Sequence, residues 1–274
     1  MLKTQFPLAS IFFTFSLAAF SSPANARSIA IDEATRLPLV KRAQVWAQPT
    51  WIDNTFNFDD LFNPATAPLG SPDEQVLTKG TIDCTYLYEA PNGPVGANPK
   101  FKCKTTAQPS LKLKVKYGTE NGEVRGEVLG TRLLWALGFF ADRNFFLKTT
   151  NCFGCSENPV NQKQTDPNSA TTPVSFSPSS IERKLAGSEV LKLVPQADGT
   201  TKVSQGWGFE ELQMVDAPEQ LRDREALKLL AVFINHLDNR KANQRLVCLD
   251  GSSPQGCTGQ TVMMIHDVGS TFGG

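Results

Sequence analysis

Strict alternation of apolar and polar positions marks Leu111-Lys-Leu-Lys-Val-Lys116 as a half-buried strand. Leu111, Leu113 and Val115 fall on one face, and Lys112, Lys114 and Lys116 on the other. Upstream, Thr81–Tyr88 and Lys100–Thr105 carry the Thr, Tyr, Ile and Phe content of two further strands. The Gly- and Pro-dense stretch 90–99 between them reads as a turn, so the pair predicts a hairpin that sets Cys84 opposite Cys103. The period then changes. Val124, Val128, Thr131, Leu134 and Leu137 recur at helical spacing over Glu123–Leu137, and Gly138 is placed to end that helix. A second helix is launched by Asp216-Ala-Pro-Glu219, read as a capping box with an early proline, and its stripe is Leu227, Leu230, Ile234 and Leu237. Ile181–Leu193 predicts a strand or two, Gly206-Trp-Gly-Phe209 a turn, and Arg245–Leu249 and Thr261–Ile265 a closing strand pair. Residues 151–180, rich in Ser, Thr, Pro and Asn, read as an inserted mobile loop.

The N-terminus has a different pattern. Lys3 precedes an uncharged apolar run from Leu8 to Phe20, and Ala24-Asn25-Ala26 supplies a small-x-small processing site. This is the layout of a cleavable signal peptide over residues 1–26, with the mature chain starting near Arg27. The run is shorter than the ~20 residues of a membrane-spanning helix, and no later segment is longer, so no stable membrane span is expected. Residues 27–76 are interrupted by Pro38, Pro49, Pro64, Pro68 and Pro72. They predict an extended leader on the domain surface, held by aromatics such as Trp46, Trp51 and Phe56. The remainder divides into a strand-rich lobe (77–150), an insertion and linker (151–204) and a second lobe (205–274). The expected class is α+β.

Charge and cysteine narrow the setting. Basic and acidic residues number 27 each, and removal of residues 1–26 takes away only Lys3. A near-neutral chain has no sequence-wide attraction for nucleic acid or acidic membranes. The six cysteines fall into three local pairs, Cys84 with Cys103, Cys152 with Cys155 and Cys248 with Cys257. In a periplasmic or extracellular setting, local disulfides are the economical assignment among the possible connectivities. A zinc site on Cys152 and Cys155 would need Cys248 and Cys257 as its other half, and their spacing is wrong for a second C-x-x-C.

Two polar clusters follow hydrophobic elements. One is His236-Leu-Asp238-Asn-Arg-Lys-Ala-Asn243 at the exit of the second helix; the other is His266-Asp267-Val-Gly269 directly after the last strand. Phosphoryl transfer needs a carboxylate at the attacking hydroxyl, oxygen ligands for Mg²⁺, and a lysine on the phosphates held by an acidic partner. Asp238, Asn243 and Asp267 suit the first two needs. Lys116, with Lys114 second, suits the third. Glu127 shares the inward stripe of the first helix, where an acidic group requires a cation to offset its desolvation.

These residues carry a resemblance. Lys116-Tyr-Gly118 followed by Gly126-Glu127-Val-Leu-Gly-Thr-Arg-Leu-Leu-Trp-Ala-Leu-Gly-Phe139 resembles the lysine strand and following helix of atypical kinases. That group includes phosphatidylinositol 3-/4-kinase-like, HipA-like and secretory-pathway kinases. Asp238 and Asn243 are similar to its catalytic loop, and Asp267-Val-Gly269 to its metal motif. The whole pattern over about 80–274 is closest to a group of exported bacterial proteins sharing Pro99–Cys103, Lys-Val-Lys-Tyr-Gly and Leu-Leu-Trp-Ala-Leu-Gly. The resemblance implies a protein-kinase-like two-lobed fold with a strand-rich N-lobe and a truncated helical C-lobe, since the sequence stops at Gly274 after the metal motif. It also implies ATP with Mg²⁺ or Mn²⁺: Lys116 or Lys114 on the phosphates, Glu127 holding the lysine, Asp238 at the acceptor, and Asn243 and Asp267 on the metal. The acceptor class, protein, lipid or glycan, is left open.

Two other classes compete. His236, Asp238 and His266 have the composition of a two-histidine, one-carboxylate iron site. A disulfide-stapled binding module without turnover is the other, in which the lysines form a solvated strand face and Glu127 pairs with Arg125 or Arg132. Trp135 and Trp207 read as packing residues. Geometry discriminates: the iron site needs both imidazoles and Asp238 at one point, the kinase-like site needs Asp238, Asn243 and Asp267 together.

Overall fold

The structure, a computed structural model, describes residues 28–49, 80–87, 98–107, 109, 112–159 and 171–272. The expected signal peptide, most of the Pro-rich stretch after residue 49, and the turn at 90–97 lie outside the described residues. The chain is α+β, with more strand than helix, as the alternating patterns predict.

In chain order, β1 (Ile29–Ile31) runs into α1 (Glu33–Lys41), whose first turn is capped by the Asp32 carboxylate accepting from the Thr35 N–H. Three strands follow: β2 (Thr81–Tyr86), β3 (Lys100–Thr105) and β4 (Lys112–Tyr117). Then come α2 (Glu123–Ala136), β5 (Phe140–Ala141), β6 (Arg143–Leu147) and β7 (Thr149–Phe153). Next are β8 (Val174–Phe176), β9 (Ser179–Arg183), β10 (Ser188–Pro195) and β11 (Thr201–Ser204). The last part holds α3 (Phe209–Leu212), α4 (Leu221–Phe233), β12 (Gln244–Cys248), β13 (Ser252–Ser253), β14 (Gly256–Cys257) and β15 (Thr261–Ile265).

Two sheets organise these elements. The first has the order β6-β9-β4-β3-β2-β7-β8. Its rows alternate in character, as period-two side chains must. Phe101, Val115, Ile181 and Phe145 sit directly opposite one another across β3, β4, β9 and β6 and form an apolar row. The next row is Lys102, Lys114, Glu182 and Asn144, all polar. The sheet curls around its apolar face. Phe176 on β8 lies 4.8 Å from Phe101 and 4.6 Å from Tyr117, ring centre to centre, although β2 and β7 intervene between β8 and β3. The second sheet has the order β1-β10-β12-β15-β5, with β11 on β10. Two short crossings join the sheets, one at residue 142 between β5 and β6 and one at 184–187 between β9 and β10.

Helix α2 lies between the polar face of the first sheet and the loop that follows β15. A Cβ built on Gly130 would stand 2.9 Å from the Val268 side chain, and one on Gly269 2.8 Å from that of Glu123. These glycines let the loop seat directly on the helix.

All three local disulfides are formed: Cys84–Cys103, Cys152–Cys155 and Cys248–Cys257. Cys152 and Cys155 are therefore closed to zinc. Among the described residues no helix is long and apolar enough to cross a membrane.

Several expectations are corrected. The start of the leader is not a surface wrap: Ile29, Ile31, Leu39, Val40, Ala43 and Val45 belong to the core of the second sheet. Residue Pro38 is accommodated inside α1. The buried Arg36 pairs with Glu211 and donates to the Gly206 carbonyl, tying α1 to α3. The stretch 151–180 is not simply an insertion, because it supplies most of β7, all of β8 and the start of β9; only 160–170 lies outside the described residues. Residues 205–272 are built on strands as much as on helices. The capping box at Asp216 does not form, since Ala217 caps a 3₁₀ turn, Pro218–Gln220, without a side-chain bond. Leu237 is 71% exposed, because the helix ends before it and Asn235 turns the chain with a positive φ.

Gly130→Ala should push the Val268 loop off α2 and cost about 1–3 kcal/mol in urea unfolding. Gly122→Ala, where a Cβ meets nothing within 4 Å, should change stability by under about 1 kcal/mol in the same assay.

Candidate functional site

The polar face of the first sheet begins with an electrostatic problem. Lys100, Lys102 and Lys104 on β3 stand directly opposite Lys116, Lys114 and Lys112 on β4. Like charges directly opposed on a sheet repel. The end nearest α2 resolves this with carboxylates. Lys116 Nζ lies 2.7 Å from Glu123 Oε2, 2.8 Å from Glu127 Oε2 and 3.6 Å from Asp267 Oδ1. Its side chain is 1% exposed. Sequence reasoning placed Lys116, Glu127 and Asp267 in one site, and the structure brings these three together.

Local sequence explains the positions. Strand alternation turns Lys116 to the face opposite Val115. Glu123 and Glu127 are one helical turn apart and so project toward the same strand. Asp267 follows the buried strand β15, and its carboxylate accepts from the Gly269 N–H at 3.2 Å. Asn98 donates to Glu123 Oε1 at 2.6 Å and fixes the second carboxylate.

Burial works to lower the Lys116 pKa, but Glu127, Asp267 and Glu123 together outweigh it and raise it above the usual lysine range. The ammonium stays charged. Burial pushes Glu127 up to about 7, with Lys116 and Lys114 pulling it back only in part. For Asp267, burial is overcome by Lys116 and Lys114, and the group is held well below the usual carboxylate range. The pKa of Lys100 is lowered by burial first and then by Lys116.

The remaining predicted residues are distributed differently. Lys114 does not join the Lys116 cluster; it pairs with the buried Glu182 at 2.5 Å. The Asp238 carboxylate faces outward, with Oδ1 2.9 Å from Arg240 Nε. Its backbone is nevertheless stitched to the site. Asn243 Nδ2 donates to the Asp238 carbonyl at 2.9 Å, and the Asn243 carbonyl accepts from the His266 N–H at 2.9 Å and the Asp267 N–H at 3.3 Å. His236 is buried with neither ring nitrogen hydrogen-bonded among the described residues. Burial lowers its pKa, while Asp238 and Asp267 pull the other way, so both carboxylates lie within its electrostatic reach. Next to Asp238, Asn239 borders an open depression of about 470 Å³ between α3 and α4, floored by Phe209, Ala231 and Val232.

The iron-type trio does not assemble. The His266 ring is bonded to Asp142. Among the described residues the group of histidine and carboxylates within ligand reach of one another is Asp142, Glu182 and His266, without His236 or Asp238. Burial lowers the His266 pKa, but Asp142 and Glu182 outweigh it and raise it. Burial would raise Glu182, yet Lys114, His266 and Lys116 hold it down to about 2. Trp207 is fully buried and donates to the Arg245 carbonyl, in keeping with a packing role.

Sequence reasoning missed Glu123, Asp142, Asn144 and Glu182. Glu123 had a signal, its spacing of four from Glu127. Glu182 was legible only as one polar position of an expected strand. Asp142 had none, since its role comes from the crossover between sheets.

Compared with protein-family models, curated proteins and solved structures, the chain shows no match.

Lys116→Met should cost about 3–5 kcal/mol in urea unfolding, because three carboxylates lose their shared cation. Glu127→Gln, which leaves Glu123 and Asp267 on the ammonium, should cost only about 1–2 kcal/mol. The Glu182 pair should show in the pH profile. Unfolded, Glu182 titrates near the ordinary 4.5, so on acidification the unfolded chain takes up that proton first. The stabilisation is fully present above that value and is lost as pH falls toward about 2. Lys114→Met should cost about 3 kcal/mol at pH 7 and flatten the acid limb, as read by urea midpoints across the acid range.

Proposed function

We propose that the chain is an exported, disulfide-braced, kinase-like phosphotransferase with a two-lobed arrangement, one lobe on each sheet. It takes ATP with Mg²⁺ or Mn²⁺ and passes a phosphoryl group to an acceptor. The observation that carries this reading is the buried Lys116 ammonium held by Glu127 from α2 and approached by Asp267 from the loop after β15. Lysine, helix carboxylate and post-strand aspartate on three separate elements make up the phosphate-and-metal half of such a site.

The residues fit a hard divalent ion. Asp267 has one oxygen on Gly269 and a side chain that reaches solvent, leaving acceptor capacity. Asn243 spends its amide N–H on the Asp238 carbonyl, and its Oδ1 remains as an oxygen ligand. Asp267 and Asn243 would hold the ion, which would supply positive charge against the charge developing on the transferred group. Lys116 contributes a fixed positive charge to the phosphates, and Glu127 and Glu123 keep it charged and oriented. Asp238 accepts the acceptor's hydroxyl proton, and the depression beside Asn239 is the approach for that acceptor. His236, whose pKa burial lowers, is within electrostatic reach of both aspartates.

A specific observation favours a second reading, a non-catalytic nucleotide-binding or partner-binding module. The Asp238 carboxylate is engaged by Arg240 on the surface, and Lys116 is enclosed by carboxylates rather than open to a phosphate. Turnover then requires Asp238 to leave Arg240.

Thermal unfolding of the oxidised mature chain with ATP and Mg²⁺ separates these readings. Saturation at about 100 times Kd should add about 2.7 kcal/mol and raise Tm by several degrees. Asp267→Ala should abolish the shift. Binding with ATP hydrolysis supports the phosphotransferase, binding without turnover the module, and no binding removes both nucleotide readings.

A further inference from the structure

The two short crossings between the sheets, β5 to β6 and β9 to β10, meet the end of β15 at one buried point. Asp142 is the residue between β5 and β6. Glu182 lies at the end of β9, just before the chain passes to β10. His266 directly follows β15. One ligand atom from each lies within 4.8 Å of the others, and all three residues are buried or nearly so. The arrangement is fixed from outside as well: Asp142 Oδ1 accepts from the Leu185 N–H at 2.9 Å, which ties one crossing to the other.

A fourth group stands beside Glu182. Asn144 on β6 is the direct cross-strand partner of Glu182, so both side chains leave the same face of the sheet. It is fully buried, and neither its Oδ1 nor its Nδ2 has a hydrogen-bond partner among the described residues. A buried amide with neither end satisfied is costly, and native folds carry such a group where something further binds.

We propose that Asp142, Glu182, His266 and the Asn144 amide oxygen form a divalent transition-metal site, taking Zn²⁺ or Mn²⁺, that pins the two sheets together. The charge count fits. Two carboxylates and a neutral imidazole sum to two negative charges, which one divalent ion balances. The ion would stand where Asp142 and His266 otherwise share a proton, beside the Lys114–Glu182 pair. One nitrogen and three oxygens in a dry setting suit Zn²⁺ or Mn²⁺, whereas Ca²⁺ takes six or more oxygens and Mg²⁺ retains water. The cysteines, all in disulfides, offer no competing thiolates. Because His266 precedes Asp267, the ion would also fix the loop that faces Lys116.

The test is titration of the oxidised, chelator-stripped mature chain with Zn²⁺ and Mn²⁺, and with Mg²⁺ and Ca²⁺ for comparison, by calorimetry without nucleotide. The expected result is one Zn²⁺ or Mn²⁺ per chain, with Mg²⁺ and Ca²⁺ far weaker. Asp142→Asn and His266→Gln should each weaken binding by at least about tenfold, and Asn144→Ala by a smaller factor. Electron spin-echo spectra of the Mn²⁺-loaded wild-type chain should show coupling to one imidazole nitrogen, a readout that does not depend on whether the variants fold. Absence of stoichiometric binding, binding unchanged in His266→Gln, or a bound Mn²⁺ without nitrogen coupling would each overturn the proposal. No nucleotide is present, so a negative result here leaves phosphoryl transfer standing, and a missing ATP shift leaves this site standing.

Discussion

A lysine ammonium shut away from water cannot stand alone, and the layout around Lys116 follows from that constraint. Removing such a charge from solvent costs several kcal/mol unless opposite charges meet it in good geometry. Here the first carboxylates come from α2, which must lie on the polar face of the curled sheet with Glu123 and Glu127 turned down. A further carboxylate comes from the loop after β15, which must approach the other side of the same helix. The small residues Gly126 and Gly130 on α2 make that approach possible. One buried cation thus fixes the relation between a helix, a strand of one sheet and a loop of the other.

The same logic repeats one row along the sheet. Lys114 meets Glu182, Glu182 neighbours Asn144, and beyond them Asp142 and His266 close the polar seam. The row is continuous across β4, β9 and β6, while the rows on either side of the strands' other face are packed with Phe, Val and Ile. Ionised groups on the polar face of a sheet that are shut away from water need another layer to supply counter-charges. The loops of the second sheet do so. The interface between the two halves is therefore charged and specific in register rather than greasy and permissive.

Much of this was legible in the residues themselves. The alternation in Leu111–Lys116 set which face the lysines occupy, and the helical spacing through Glu127 called for a lysine partner, Lys116 first and Lys114 second. The local cysteine pairs were readable because each pair lies close together in sequence, and all three are closed as disulfides. What was not legible came from long-range topology. Nothing in the N-terminal residues, broken by proline, announces that Ile29 and Ile31 form an edge strand of the second sheet with side chains in its core, because their partner strand is β10. The Ser- and Thr-rich character of 151–180 hid β7 and β8, whose stability comes from neighbours rather than from propensity. Asp142 looks like any loop aspartate until the crossing between sheets is known. Asp238 stood out by its spacing from Asn243, yet only its backbone is bound into the cluster; the side chain is free to choose Arg240.

The parallel pairing of β1 with β10 sets Ile29 beside Val190 and Ala30 beside Leu191. The earliest strand of the chain thus has no partner until most of the polypeptide has been made. Non-local pairing of this kind is slow to form, and an unpaired strand is exposed to association while it waits. By contrast, each cystine closes a short span and can form as soon as its own segment emerges. Assembly of the second sheet is therefore a late event that belongs to the completed chain, after the small covalent loops have already restricted where its parts can go.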